Sequence, residues 1–193
     1  MTISLTRPLV LASNSPRRRQ LLQESGFEFT TEVRPTPEEF PPTLPADEVP
    51  AFLARQKAEC FGHDHDNRLI LCADTIVVQG TLILNKPADE AEVRTMLRYL
   101  SGVTHRVITG VCLLDGDRYT TATDVALVTF RPLEDWEIDQ YIEECRPYDK
   151  AGGYGIQEWI GMVGIERIEG SYYTIMGLPT HLVYDLLKPY FAK

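Results

Sequence analysis

The sequence predicts one domain that contains both strands and helices and is large enough to form two lobes. Its 193 residues are 44% hydrophobic, so the chain can bury a substantial core. Short apolar runs rich in β-branched residues alternate with segments whose apolar residues recur at helical spacing. No internal repeat, low-complexity tract or long linker divides the chain. Together these observations predict a single domain of mixed secondary structure.

Charge and composition exclude several classes of protein. The formal net charge of −9 and the sequence pI near 4.9 argue against a nucleic-acid-binding protein, which needs a basic face. No apolar run approaches the length of a membrane span, and residues 1–10 lack the features of a signal peptide, so we expect a cytoplasmic protein. The four cysteines lie far apart with no C-x-x-C pair, which favours reduced thiols: Cys60, Cys72, Cys112 and Cys145.

The N-terminal segment predicts a strand followed by a helix with an unusual first turn. Residues 9–12 are an apolar run, after which Ser15 is a suitable N-cap, Pro16 fits the first helical position and Gly26 ends the helix. Arginines at 17–19 occupy the first turn, where the positive end of the helix dipole repels them. A bound anion would remove this conflict, so the pattern predicts a phosphate site; the alternative is a solvated arginine run.

The next segment offers two weaker signals. The proline-rich residues 34–50 predict an extended surface loop, which carries the adjacent carboxylates Glu38 and Glu39. Asp47 is expected to cap a helix that ends near residue 61. On that helix Lys57 lies at the edge of the apolar stripe, where it either snorkels to solvent or reaches into a cleft. The stripe comprises Val49, Phe52, Leu53 and Cys60.

The feature with the clearest chemical meaning is one acid inside an apolar run. Residues 69–78 predict a buried strand, and burial of Asp74 there is costly unless it meets a metal, a cation or hydrogen-bond donors. The alternative is that the strand ends near residue 73 and Asp74 caps a turn. A turn at 79–80 returns residues 82–84 as a hairpin partner, so Lys86 at the end of that strand can face the same cleft as Asp74.

The remaining sequence predicts further elements and one glycine-rich loop. Residues 148–157 contain three glycines but match neither a P-loop nor a dinucleotide fingerprint. Gln157 in this loop offers both a donor and an acceptor to a base edge, whereas the alternative is a plain glycine turn. The tetrad at 63–66, which alternates His and Asp, is interpreted as a polar connection. The other predicted elements are a helix capped by Asp89 and Glu92 that ends at Gly102, strands over 106–114 and 119–130, a helix over 134–144, a hairpin of 165–168 with 172–176, and a helix over 179–187.

Taken together, these features are the parts of an enzyme that hydrolyses phosphoanhydrides. A basic helix start, scattered lysines, a few carboxylates and a glycine-rich loop with an amide supply what such a reaction requires. Cations neutralise the phosphates, a metal polarises them, and a carboxylate positions or deprotonates water. Magnesium is the natural metal, because one or two carboxylates and substrate oxygens suffice to hold it.

Several ordered motifs carry a resemblance that covers nearly the whole chain. They are Leu11-Ala-Ser-Asn-Ser-Pro-Arg-Arg18, Ala73-Asp-Thr-Ile-Val77, Lys86-Pro87, Leu100-Ser-Gly102, Asp149-Lys-Ala-Gly152, Tyr154-Gly-Ile-Gln157 and Met176-Gly-Leu-Pro179. In this set the sequence resembles the Maf nucleoside triphosphate pyrophosphatases. The resemblance implies an α/β fold with an extended mixed sheet flanked by helices, and two lobes with a central nucleotide cleft, often in a homodimer. It also implies hydrolysis of a nucleoside triphosphate to the monophosphate and pyrophosphate, with Mg²⁺ or Mn²⁺ as cofactor.

The Gly-Ile-Gln form of the loop resembles the branch that acts on dTTP and UTP and is proposed to keep unwanted nucleotides out of nucleic acid. The resemblance implies that Asp74 is the proton acceptor and that Asp74 and Glu38 are metal ligands. It implies that substrate choice depends on Arg17, Thr75 and Gln157. The phosphate contacts that it implies are Ser13, Arg18, Lys57 and Lys86. Glu39 is the alternative to Glu38. Glu158 and Trp159 depart from the family pattern, which has glycine after the glutamine. The alternatives are a relative that acts on modified or purine triphosphates and a nucleotide-binding regulator of cell division.

Overall fold

The computed structural model describes residues 1–62 and 67–192; the predicted polar connection at 63–66 lies outside them. The strands are β1 (Leu9–Leu11), β2 (Thr30–Thr31), β3 (Leu69–Gln79), β4 (Leu82–Leu84), β5 (Thr104–Asp115), β6 (Arg118–Phe130) and β7 (Ile165–Glu169). The helices are α1 (Pro16–Glu24), α2 (Val49–Glu59), α3 (Glu90–Leu100), α4 (Asp135–Cys145), α5 (Trp159–Gly164), α6 (Tyr172–Ile175) and α7 (Thr180–Leu187). Short 3-10 turns cover Ala151–Gly153 and Lys188–Tyr190.

The strands form one mixed sheet in the order β2-β1-β3-β5-β6-β7, with β4 also paired to β3. Strand β1 runs parallel to both of its neighbours, with Val10 opposite Thr30 and Leu11 opposite Leu71. Strands β4 and β7 are antiparallel to β3 and β6. The mixed sheet flanked by helices is the α/β fold that the family resemblance implied.

The described chain forms two compact units, and β3, β5 and β6 each contribute residues to both. The first unit comprises Met1–Asp74, Thr109–Asp124 and Gly177–Lys193, and the second comprises Thr75–Ile108 and Val125–Met176. Each has its own apolar core. The first core contains Val10, Ala12, Ala54, Ala58, Phe61, Ile70, Cys72, Cys112 and Leu114. The second contains Val77, Leu84, Val93, Leu97, Leu100, Val107, Val128, Phe130, Ile138, Tyr141, Ile142, Tyr154 and Ile160.

Capping residues explain why two of the predicted helices, α1 and α3, start where the sequence placed them. The Ser15 side chain accepts from the Arg18 amide at the start of α1, and Gly26 beyond its end has φ +87°. The Asp89 side chain accepts from the Glu92 amide at 2.9 Å, although the Glu92 carboxylate returns to Ala88 N instead of to the cap residue itself. The cysteines are free thiols, as predicted.

The structure corrects two of the predicted elements. Asp47 does not cap α2, because the helix begins at Val49 and Glu48 occupies the cap without a side-chain hydrogen bond. The predicted hairpin of 165–168 with 172–176 is wrong: β7 pairs with β6, and Tyr172–Ile175 is a single helical turn. Its aromatic and β-branched residues are typical of a strand, but only Thr174 of that turn is buried. In the predicted stripe of α2, Phe52 is exposed and Ala54 is buried instead.

No helix in the described part of the chain combines the length and apolarity that a bilayer crossing requires.

Candidate functional site

The parallel strands of the first unit bring Ser13 and Asp74 to the same end of the sheet. Ser13 follows β1 by two residues, and Asp74 lies three residues beyond Leu71, the β3 partner of the last residue of β1. The Ser13 hydroxyl accepts from the Ser15 amide at 3.2 Å, so it shapes the turn into α1. Since the carboxyl ends of parallel strands are common ligand positions in open α/β sheets, this edge is the natural place for a site.

Lys57 joins two carboxylates at this edge. Its Nζ lies 2.5 Å from Oδ1 of Asp74 and 3.3 Å from Oε1 of Glu38. The side chain of Asp74 is 12% exposed and that of Glu38 is 53% exposed. Asp74 is therefore buried beside a cation within a strand that continues to Gln79, and it does not cap a turn. Lys57 reaches inward from the last turn of α2, where the sequence left its direction open.

Arg18 completes what we call the charged cluster: Arg18, Glu38, Lys57 and Asp74. Its Nε donates to the Gly177 carbonyl at 2.7 Å, which fixes the direction of the guanidinium. Desolvation lowers the pKa of Arg18 from its ordinary value, with the negative charges of Asp74 and Glu38 opposing the shift and the positive charge of Arg17 adding to it. Arg18, Lys57 and Glu38 thus place three charged groups around the buried carboxylate of Asp74, as a site for a charged ligand requires.

Thr75, Lys86 and Gln157 belong to the second unit. Thr75 follows Asp74 in β3 and is half-buried, whereas Lys86 is exposed two residues beyond the end of β4. Gln157 is half-buried, and its Oε1 is a buried acceptor with no hydrogen-bond partner among the described residues. It lines a cavity of about 330 Å³ together with apolar side chains and one aromatic ring: Ile156, Met162, Ile165, Ile168 and Tyr172.

A network around the glycine-rich segment went unnoticed in the sequence. Residues 150–158 are here called the glycine loop. Tyr141 of α4 accepts from the Gly155 amide of this loop at 3.1 Å and donates to the Glu158 carboxylate. Lys150 lies 2.9 Å from the other Glu158 oxygen. The sequence marks Glu158 only as a departure from the expected glycine, and it places Tyr141 only within the predicted helix over 134–144. No sequence pattern links these positions, because their contact depends on how α4 packs against the loop.

The carboxylates of the charged cluster fit a hard divalent cation better than a soft one. Across residues 1–62 and 67–192, no group of three or more His, Cys, Asp and Glu side chains is placed to hold a metal ion. Glu38 and Asp74 instead supply two carboxylates that meet at one lysine, and Glu39 contributes its backbone carbonyl to Gln56 Nε2 at 3.4 Å. Two carboxylates suit Mg²⁺ or Mn²⁺, which complete their shells with water and phosphate oxygens.

Comparison with known proteins decides the family. The model of the family described as "Maf-like protein" matches residues 8–190. The chain belongs to the Maf family. A Maf relative from Porphyromonas gingivalis, named dTTP/UTP pyrophosphatase, is 48% identical over 188 residues, which cover 94% of each chain. Relatives with the same name come from Phocaeicola vulgatus, at 47% identity over 93% of this chain and 94% of its own, and Cytophaga hutchinsonii, at 44% over 95% and 84%.

Membership of the Maf family confirms the resemblance drawn from the ordered motifs. Of those motifs, the one that ends at Pro179 received no role from the sequence. In the structure this motif orients Arg18, because the Gly177 carbonyl accepts from the Arg18 side chain. The φ of Gly177 is +100°, a conformation that favours glycine.

Proposed function

We propose that this Maf protein hydrolyses dTTP and UTP to the nucleoside monophosphate and pyrophosphate. The observation that carries the proposal is the Lys57–Asp74 pair beside Arg18 at the carboxyl end of parallel strands. The names of the relatives, at 44 to 48% identity over nearly the whole chain, supply the substrates. Arg17, Arg18 and Lys57 supply the local positive charge that an anionic substrate needs in a protein of net charge −9.

Asp74 is the proton acceptor in this reaction. A water oxygen attacks the α-phosphorus, the bond from that phosphorus to the α,β-bridging oxygen breaks, and pyrophosphate leaves with that oxygen. The water proton passes to the Asp74 carboxylate. Lys57 holds this carboxylate in place at 2.5 Å, so the base is oriented before substrate binds.

Cations in the first unit hold the triphosphate. Arg18 and Arg17 are in the first turn of α1, where the amides and the helix dipole also favour an anion. The Gly177 carbonyl fixes the direction of the Arg18 guanidinium, whose planar fork suits phosphate oxygens. We assign Ser13 and Lys86 to phosphate contacts as well.

Glu38 and Asp74 would hold a divalent cation, Mg²⁺ or Mn²⁺. When bound, the cation neutralises phosphate charge and polarises the phosphoryl group. Asp74 thus has two assignments, as a base and as a metal ligand. We expect EDTA to abolish pyrophosphate release and added Mg²⁺ or Mn²⁺ to restore it; full activity after exhaustive chelation would contradict the metal assignment.

Gln157, Arg17 and Thr75 choose the substrate. Uracil and thymine present an N–H donor between two carbonyl oxygens, and a glutamine amide offers an acceptor and a donor to match them. The buried Oε1 of Gln157, which lacks a donor among the described residues, supports this role. An unpaired buried acceptor is costly, and a base that donates to it would remove that cost.

A panel of triphosphates with pyrophosphate detection tests the proposed function. We expect the protein to release pyrophosphate from dTTP and UTP and to release little from dCTP, dATP and dGTP. Release mainly from purine or modified triphosphates would overturn the substrate assignment and leave the reaction type. Tight nucleotide binding without pyrophosphate release, in added Mg²⁺ or Mn²⁺, would overturn the reaction as well and indicate a nucleotide-binding regulator.

The proposal extends to assembly and location. We expect a homodimer in the cytoplasm with no affinity for nucleic acid or membranes. Light scattering on the purified protein measures the assembly, and a mass equal to that of one chain would contradict the dimer.

A further inference from the structure

The glycine loop is fixed on both sides of Gln157 by buried polar contacts within the second unit. On one side, the Gly155 amide donates to the Tyr141 hydroxyl at 3.1 Å. On the other, Glu158 accepts from Tyr141 and pairs with Lys150 at 2.9 Å. One tyrosine hydroxyl therefore connects the two residues that flank the dipeptide Ile156-Gln157.

Two of the three side chains that make these contacts are buried, and the third, Glu158, is 22% exposed. Tyr141 is 1% exposed and Lys150 is 7% exposed, so water does not replace the hydrogen bonds readily. Burial and the adjacent Glu158 carboxylate raise the pKa of Tyr141, so the hydroxyl keeps its proton and donates it to the acid. A Cβ at position 155 would lie 2.8 Å from the Glu158 carboxyl carbon, so a larger residue there would displace the Glu158 carboxylate from Tyr141 and Lys150.

Fixed loop geometry matters because a glutamine amide alone does not distinguish uracil from cytosine. Rotation of the amide by half a turn exchanges its donor and acceptor, and the rotated form suits the edge of cytosine. Discrimination therefore depends on holding both the backbone and the amide in one orientation. The contacts made by Gly155 and Glu158 hold the backbone on either side.

We propose that Tyr141, Lys150 and Glu158 are positioning residues that set the orientation of Gln157 and so give the enzyme its preference for uracil and thymine over cytosine. This inference rests on the proposed function. It also gives a role to Glu158, which replaces the glycine that the family pattern led us to expect. The three residues act through the loop and make no contact with the reacting atoms.

The test uses two variants with matched controls. Tyr141→Phe removes the hydroxyl and keeps the pair of Glu158 with Lys150, and Glu158→Gln removes the charge that faces Lys150. Tyr99→Phe and Glu143→Gln alter exposed residues of the same unit and should behave as wild type. We expect the ratio of kcat/KM for UTP to that for CTP to fall roughly 10- to 100-fold in both variants, since small displacements of positioning groups have effects of this order.

The effect should appear in KM for UTP, with kcat within about twofold of wild type, because the residues that act on the phosphorus are unchanged. A merely structural role would lower the melting temperature and leave the UTP to CTP ratio unchanged. Wild-type discrimination in folded Tyr141→Phe and Glu158→Gln would overturn the proposal while leaving the proposed function intact.

Hydrogen exchange separates failure of this inference from failure of the proposed function. The Gly155 amide should exchange slowly in wild type and faster in Tyr141→Phe, whichever nucleotide the protein hydrolyses. If the wild-type amide exchanges as fast as that of an exposed loop, the positioning network is wrong even where the variants do not fold. If wild type releases no pyrophosphate from UTP but protects this amide, the proposed function fails and the network remains without its role in substrate choice.

Discussion

The charged cluster and the glycine loop both place carboxylates against a lysine, yet they differ in what surrounds the pair. In the charged cluster, Glu38 is 53% exposed and meets Lys57 at 3.3 Å, so solvent or a ligand can reach the group. In the loop, Glu158 is 22% exposed and is held by both Lys150 and Tyr141. The first arrangement is accessible to a ligand at Glu38, and the second uses its polar groups on one another.

The difference shows that a buried ion pair does not identify a site by itself. A pair that satisfies its own polar groups maintains geometry, whereas a pair at the open end of strands, next to more cations, is suited to a charged ligand. The comparison predicts that changes in the charged cluster reduce turnover, and that changes around the loop alter stability or selectivity.

Replacing Lys57 with Met breaks the charged cluster at its centre. Glu38 and Asp74 then lose their shared counter-ion, and the base is no longer oriented. We expect kcat for UTP to fall about 100-fold, the usual effect of removing one preorganised charged group from a site. Pyrophosphate release measures it, and Lys188→Met, at an exposed position, is the control. Activity within twofold of wild type would remove Lys57 from the site.

Substitution of His105 tests whether buried polar contacts of the glycine loop contribute to stability. Its Nε2 lies 2.7 Å from the Tyr154 hydroxyl, and burial lowers its pKa to about 4. The unfolded chain takes up this proton near pH 6.5, so the neutral ring stabilises the fold above that pH and the stabilisation is lost as the pH falls toward 4.

Between pH 7 and pH 5 this linkage costs about 2 kcal/mol of unfolding free energy. We expect His105→Gln to show a smaller loss over that range in urea melts, whereas His181→Gln, at an exposed position, should match wild type. Equal pH dependence in His105→Gln and wild type would show that the pKa of His105 is not lowered by folding.

Arg18→Lys sharpens the assignment of phosphate binding within the charged cluster. Lysine keeps the charge but loses the planar guanidinium that the Gly177 carbonyl orients. We expect KM for UTP to rise roughly tenfold with kcat little changed, since the lost interaction is made equally in the ground and transition states. Arg55→Lys, on the exposed side of α2, is the control. A fall in kcat without a change in KM would assign Arg18 to the chemical step instead.

We expect the smallest effects on unfolding free energy at the helix caps, one of which lies in each unit. The Asp89 cap of α3 has a 2.9 Å hydrogen bond, whereas the Ser15 cap of α1 spans 3.5 Å. We expect Asp89→Ala to cost about 1 kcal/mol and Ser15→Ala about 0.5 kcal/mol in chemical denaturation, in line with typical cap energies. A larger cost at Ser15 would mean that the start of α1 is held more tightly than its hydrogen bond indicates.

Local patterns predicted most of the fold. The strand at 69–78, the hairpin to 82–84 and the helices after Ser15 and Asp89 follow from periodicity, turns and caps, which are encoded within a few residues. The strand prediction for 172–176 is wrong because its aromatic and β-branched residues favour a strand but are also compatible with one helical turn. Helix α5 was not predicted at all, since six residues give too little periodicity.

The site was predictable only as a set of candidate residues. An acid inside an apolar strand marked Asp74, and the repulsion between arginines and the helix dipole marked Arg18. The contact of Lys57 with both Glu38 and Asp74 depends on packing between segments far apart in sequence, where spacing gives no information. The link from Tyr141 to Gly155 and Glu158 was missed for the same reason.

The most direct test of the central claim is the turnover of Asp74→Asn on UTP and dTTP, with Asp185→Asn as the exposed control. Asparagine keeps the shape of the side chain but cannot accept the water proton. We predict that kcat falls at least about 100-fold for both substrates and by the same factor, because loss of a general base affects the chemical step for each nucleotide alike. Unchanged pyrophosphate release in a folded Asp74→Asn protein would contradict the assignment of the charged cluster as the catalytic centre.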